Sequence, residues 1–367
     1  MNVLSHTLAA VVLALTLTGP VWSQSNETVH LYNWNDYFAA DTLSGFQAAT
    51  GIRPILDVYD ANEVLEAKLF AGRSGYDVVF PTAHPFAARQ VRAGMYRPLD
   101  QDALPGLARL DPNVMSRLSL SDPDNAHLVP YLWGTSGIGI NREQVNAILG
   151  EDADTDTWGL IFDPEMALQL SKCGISLLDD STEVFSAALA YLGKDPNSLE
   201  RGDLDAAEAL IRSIRPAVRY FHSSQYISDL ANGGLCVAMG YSGDVLQARE
   251  RAAEANRGVV IEYHIPREGA AFWTDVMAIP ADAPNPLAAQ AFIDYILEPA
   301  VIAAISNEVF YANPNREATA LLDAAVREDS AIYPPPEVMD RLFVPSERSD
   351  RDIRELNRRW TRIKANR

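Results

Sequence analysis

The chain is 367 residues long, 48% hydrophobic and 22% charged, which excludes a disordered or low-complexity protein and leaves room for two domains or one large one. Its 30 basic residues against 49 acidic ones give 30 − 49 = −19, a field that repels nucleic acid and attracts cations.

In chain order, residues 1–23 come first. They hold an apolar run from Leu8 to Leu17 and a small-residue ending, Val21-Trp22-Ser23, the pattern of a secretory signal peptide cut near Ser23. The run is too short to span a bilayer, no later segment is apolar enough to do so, and no Cys follows to carry a lipid anchor. A soluble, exported mature protein is expected.

Val29 to Tyr32 reads as a strand, and Asp41 as the N-cap of a helix that ends at Gly51. Between them lies Leu31-Tyr32-Asn33-Trp34-Asn35-Asp36-Tyr37-Phe38. A strand-to-helix loop of an open α/β sheet opens on the crevice where ligands bind, which would bring Trp34, Asp36 and Tyr37 to it. Two ring faces beside a carboxylate suit an organic cation. The other reading of the octet is an ordinary loop with packed aromatics and a solvated Asp.

Ile52 to Tyr59 reads as the second strand, Asn62 as the cap of a helix carrying Val64, Leu65 and Leu69 and ending at Gly72, and Tyr76 to Phe80 as a third strand. Apolar strands alternating with helices predict a parallel sheet covered on both faces. Pro130 to Asn141, with Gly134, Gly137 and Gly139, reads as a long bent strand crossing between domains. Leu160 to Leu178 starts a second α/β set after the polar loop Glu151 to Asp156. Phe272 to Pro280 is the expected return crossing. Asn285 then caps a helix with Pro286 at its first position, predicted to bury Leu287, Phe292, Ile296 and Leu297. Pro334-Pro335-Pro336 reads as a linker.

The last helix, Asp350 to Ala365, sets Ile353, Leu356, Trp360 and Ile363 along one stripe and Arg351, Arg354, Arg358, Arg359 and Arg362 elsewhere. In so acidic a chain it is expected to pack on the body and pair with carboxylates. The alternative is a basic tail for membrane or nucleic acid.

Catalytic signatures are absent: there is no HExxH, CxxC, GxGxxG or P-loop. Gly134-Thr135-Ser136-Gly137 and Gly240-Tyr241-Ser242-Gly243 miss the nucleophile-elbow spacing. Asp152, Asp154 and Asp156 begin like a calcium loop, but Thr157 and Asp163 stand where Gly and Glu belong. The six histidines lack metal-ligand spacing, so neither a metal nor a cofactor is expected. Cys173 and Cys236 fit one disulfide closing a 63-residue loop (236 − 173), the alternative being two buried thiols. What recurs is a carboxylate near rings at strand ends: Tyr241 to Asp244, Trp273-Thr274-Asp275, and Phe310-Tyr311 at a third crossing. Such clusters suit a cage for a flexible cation better than an active site, which needs a nucleophile or an acid and base of separated pKa.

LYNWNDYF, SGYDVVFPTA, YLGKDPNS, RYFHSSQY, GYSGDV, AFWTDVMAIP and VFYANPNR together resemble the periplasmic polyamine-binding proteins of ABC importers, over nearly all of the mature chain. The resemblance implies an α/β, two-lobed, type II-like periplasmic binding protein, each lobe a central sheet flanked by helices and joined by hinge crossings. The expected lobes are 24–136 plus 275–311, and 137–274 plus 312–367. It implies a periplasmic receptor, expected to be a monomer, that hands a polyamine to an ABC permease without catalysis. Carried over by position, Trp34, Tyr37, Tyr241, Trp273 and Tyr311 would line the aliphatic chain and Asp36, Glu183, Asp244 and Asp275 would meet the amines. Asn35 and Thr82 could add hydrogen bonds, and His84 replaces a small residue. Asp180 would serve a third ammonium and Trp273 a longer chain, so spermidine is expected over putrescine. Two rival readings are an exported hydrolase or lyase pairing Asp36 with Asp275 or Glu183, and a same-fold receptor for another solute.

Overall fold

A computed structural model describes residues 27–346 and 348–365; the expected signal peptide, residues 1–23, lies outside them. Strands β1 (Thr28–Trp34), β2 (Arg53–Tyr59) and β3 (Val78–Val79) pair in parallel, in the order β2-β1-β3. The helix Thr42–Thr50 follows β1 and stops at Gly51, whose φ of 76° is a left-handed closure that costs a glycine little. Asp41 stands at its N-cap but makes no side-chain cap bond. The helix Asn62–Phe70 buries Leu65 and Leu69 and leaves Val64 exposed. Asn62 is its first residue rather than its cap, because the Asn62 amide is engaged with Thr82 instead.

The wholly parallel sheet expected from the N-terminal pattern is a mixed one. β4 (Leu128–Asn141) runs antiparallel to β9 (Phe272–Ala278) over Leu128 to Thr135. From Ser136 to Ile140 it runs antiparallel to β7 (Val237–Tyr241), with β8 (Ile261–His264) on its other edge. β7 is parallel to β5 (Ile175–Leu177), and β5 to β6 (Val218–Phe221). The path is β2-β1-β3-β9-β4-β7-β5-β6. β4 is therefore the strand both halves share. A Cβ on its Gly134 would stand 2.9 Å from the Trp273 ring, so the glycine admits the indole.

Two cores flank that strand. One gathers Phe46, Phe80, Tyr131, Met277 and Phe292; the other Ile138, Phe162, Phe185, Tyr226 and Trp360. The boundary expected after Tyr311 differs from this packing. Ala312, Ala318, Leu322, Val326 and Ile332 belong to the first core, since the chain folds back on the helix Pro299–Val309 before leaving it. In the helix Pro286–Ile296, Phe292 and Ile296 are buried and Leu297 just past its end is too, but Leu287 is 78% exposed. The helical repeat carries the buried stripe through Ala288 and Ala289 instead. Asn285 makes no cap bond and donates to Asp77. Pro336 opens a short helix, Pro336–Met339, where a linker was expected.

The last helix, Asp350–Ala365, packs Leu356, Trp360 and Ile363 on the second core, with Ile353 only partly covered. Arg359, buried, reaches Glu208 and Asp205 at 2.8 Å each, and Arg362 meets Glu208 at 2.9 Å. The basic face is an intramolecular brace. Cys173 and Cys236 form a disulfide between the end of one helical turn and the start of β7.

Candidate functional site

The carboxyl end of β1 and its neighbours from both lobes enclose a narrow cavity of about 60 Å³. Asp275, on β9, is 4% exposed and lines it. The Tyr37 hydroxyl donates to it at 2.9 Å and the Thr82 hydroxyl at 2.7 Å. Thr82 is itself fixed by Asn62, whose amide donates to its hydroxyl at 3.0 Å and accepts from its N–H at 3.1 Å. Tyr37 is fixed by Tyr131, whose hydroxyl donates to the Tyr37 carbonyl at 2.6 Å. Burial pushes the Asp275 carboxyl up to about 7, against the pull of the Thr82 and Tyr37 hydroxyls, which favour the anion.

Asp244 is a second lining carboxylate, in the first turn of the helix Ser242–Ala255, where the helix N-terminus favours negative charge. The hydroxyls of Tyr226 and Tyr311 each donate to it at 2.7 Å. Burial raises it to about 6, with those two hydroxyls opposing. Two carboxylates, each held by two hydroxyls and partly starved of water, suit positive charge.

Rings wall much of the rest. Trp34 is anchored by its indole N–H on the Phe80 carbonyl at 2.8 Å. Tyr241 and Tyr311 stand edge-on to Trp273, with ring centroids 5.7 and 5.2 Å away, and the Trp273 indole N–H has no hydrogen-bond partner. Such faces offer an aliphatic chain dispersion contact and an ammonium a negative quadrupole.

A third acidic group closes one side. Asp180 caps the helix Ser181–Tyr191, accepting from the N–H groups of Thr182 and Glu183 at 2.8 and 3.1 Å, and still faces the cavity. Glu183 also lines it and is pushed up to about 8 by burial and by the charge of Asp180.

Of the residues expected at a site, Trp34, Asn35, Tyr37, Thr82, His84, Asp180, Glu183, Tyr241, Asp244, Trp273, Asp275 and Tyr311 all line this cavity. Asp36 does not. Its backbone sits at φ 51° and its carboxylate turns outward to Arg251 at 3.2 Å, both side chains being 42% exposed. His84 also borders a second hollow of about 580 Å³ behind Trp273. Among the described residues no cluster of His, Cys, Asp and Glu could hold a metal ion. Sequence reading passed over Tyr59, Phe86, Ser223 and Pro345 in the lining, and Tyr226 behind Asp244. Tyr59 ends β2 as Trp34 ends β1, so the strand-end rule that flagged one applies equally to the other.

Comparison with known proteins places this geometry. The family model for bacterial extracellular solute-binding protein matches residues 74–332. The chain is 48% identical over 359 residues, 98% of each chain, to the putrescine-binding periplasmic protein SpuD of Pseudomonas aeruginosa. It is 49% identical over 340 residues, 92% of each chain, to the putrescine-binding periplasmic protein PotF of Escherichia coli. Among solved structures, a putative spermidine/putrescine ABC transporter from Listeria monocytogenes superposes with a TM-score of 0.83 at 31% identity, covering 94% of this chain and all of that one.

Proposed function

The chain belongs to the bacterial extracellular solute-binding protein family, a solute receptor and not an enzyme, and from that premise we propose that it captures a linear diamine of the putrescine class. In this reading it works in the periplasm and hands the amine to an ABC permease. The carrying observation is the pair Asp275 and Asp244, each gripped by two hydroxyls and both lining one narrow ring-walled cavity, where in this reading they serve as its two poles. Two anionic poles match two ammonium ends, and rings match the methylenes between. A sugar would call for many neutral donors, and an amino acid for an arginine clamp on its carboxylate.

The spermidine preference expected from Asp180 and Trp273 gives way here. Relatives near 48–49% identity are named for putrescine, and one carboxylate oxygen of Asp180 is taken up by two backbone N–H groups. The lobes in this reading are 27–135 with 272–332, and 136–271 with the chain after it, hinged on β4, β9 and the stretch joining the two cores. Native mass spectrometry of gently purified protein should show a one-to-one adduct with the mass of a diamine. An adduct of spermidine mass under equal supply of both restores the longer ligand, and a sugar or amino-acid adduct removes the amine reading.

A further inference from the structure

Beside the two poles lies a third acidic group that the diamine reading does not use, and it has a cation of its own. Arg348 is 4% exposed, and its Nη2 donates to the Ser186 hydroxyl at 3.4 Å. Its Nε and Nη1 are buried and make no hydrogen bond. Ser186 lies one turn after Glu183 on the helix Ser181–Tyr191, and Pro345, three residues before Arg348, lines the cavity. The guanidinium thus stands against the helix end that presents Asp180 and Glu183, each 9% exposed, to the ligand space. One carboxylate oxygen of Glu183 is buried there without a partner.

We propose that Arg348 is a specificity-determining residue: it takes, beside Asp180 and Glu183, the place in the charge balance that a third ammonium would need, and so restricts the site to ligands with two. The inference rests on the diamine reading above. A guanidinium stays protonated in proteins, so its charge is permanent. The groups facing it are Asp180, Glu183 and Asp352. Asp180 in turn faces Glu63 and Glu183. Burial first and the charge of Asp180 next push both glutamates up to about 8; burial raises Asp180 too, with Asp179 adding to the rise, while two backbone N–H groups and Arg348 favour its anion. The side chains acting on Asp275 are the Thr82 and Tyr37 hydroxyls, and Arg251 acts on Asp244.

The test is calorimetry of amine-free protein with putrescine and spermidine, in the wild type, in Arg348→Gln and in Arg348→Lys. Arg348→Gln should move the spermidine-to-putrescine affinity ratio at least tenfold toward spermidine, while Arg348→Lys keeps the wild-type ratio. An unmoved ratio in Arg348→Gln, with putrescine still bound, overturns the role of Arg348 and leaves the diamine reading standing. Failure of the wild type to bind either amine overturns both. Should Arg348→Gln not fold, the wild type still decides. A mono-acetylated spermidine, equal in backbone length and one charge poorer, should bind at least as tightly as spermidine. Tenfold tighter binding of spermidine contradicts the proposal.

Discussion

The Tyr37 hydroxyl and the Asp275 carboxylate meet at 2.9 Å across 238 residues of chain, one from the loop after β1 and the other from β9. Neither side chain could hold its position alone. Burial disfavours the Asp275 anion, and the Tyr37 and Thr82 hydroxyls are what keep it available. Tyr37→Phe removes one of them without removing the ring. A hydrogen bond to a charged group is worth about 1.5–3 kcal/mol, so putrescine should bind roughly tenfold or more weakly at neutral pH. Calorimetry checks this, and the loss should shrink toward pH 9, where Asp275 is ionised in both proteins.

Acidification should separate stability from binding. Asp275 and Asp244 titrate near 7 and 6 in the fold, above the value of 3.8 for a free carboxyl, so between those limits the native state holds the more protons. Stability of the ligand-free protein therefore falls as pH rises through that window, and is recovered on acidification. Diamine affinity runs the other way, falling from pH 8 to pH 5 as the anions are lost. Thermal melts with and without putrescine at pH 5, 6.5 and 8 should show the ligand-induced rise in Tm collapsing at pH 5. Calorimetry near pH 6.5 in buffers of different ionisation enthalpy should reveal proton release on binding.

Gly243 makes room for Tyr311. A Cβ there would stand 2.5 Å from both the Val309 carbonyl oxygen and the Tyr311 ring, whose hydroxyl holds Asp244. Gly243→Ala should cost about 1–3 kcal/mol in stability and weaken putrescine binding, although residue 243 presents no group to the ligand. Chemical denaturation and calorimetry on the same variant test both halves.

Asp36 and Arg251 join the loop after β1 to the helix Ser242–Ala255, whose first turn carries Asp244. Both are substantially exposed, and exposed pairs contribute about 0.2–1 kcal/mol and are screened by salt. Arg251→Ala should speed putrescine release by no more than about fivefold at low ionic strength. Stopped-flow tryptophan fluorescence should find the difference gone at 1 M salt.

Much of the site was legible because one rule, aromatics and carboxylates at strand ends, works without knowing which strands are neighbours. It reached Trp34, Tyr37, Tyr241, Asp244, Trp273, Asp275 and Tyr311 from residue type and position alone, and the family resemblance added Asn35, Thr82, His84, Asp180 and Glu183. What it missed depends on long-range placement. Asn62 looks like a helix cap, yet its amide serves Thr82, twenty residues on. Tyr226 closes the motif RYFHSSQY, yet its part at the site shows only once the fold brings Asp244 beside it. Asp36 shares its octet with three true lining residues, but a left-handed backbone turns it outward. Arg348 carries no local signal at all: only the packing of its strand-less segment on the helix Ser181–Tyr191 makes it a neighbour of Asp180 and Glu183. The fold-back of residues 312–332 onto the first core escaped for the same reason.

Calorimetric titration of putrescine into the amine-free Asp244→Asn/Asp275→Asn double variant, beside the wild type, tests most directly whether two buried anions hold two ammoniums. The wild type should saturate at one putrescine per chain, and the double variant, folded by circular dichroism, should show at least a thousandfold loss, about 4 kcal/mol. Binding of putrescine by the double variant at wild-type strength would contradict a receptor built on those two poles.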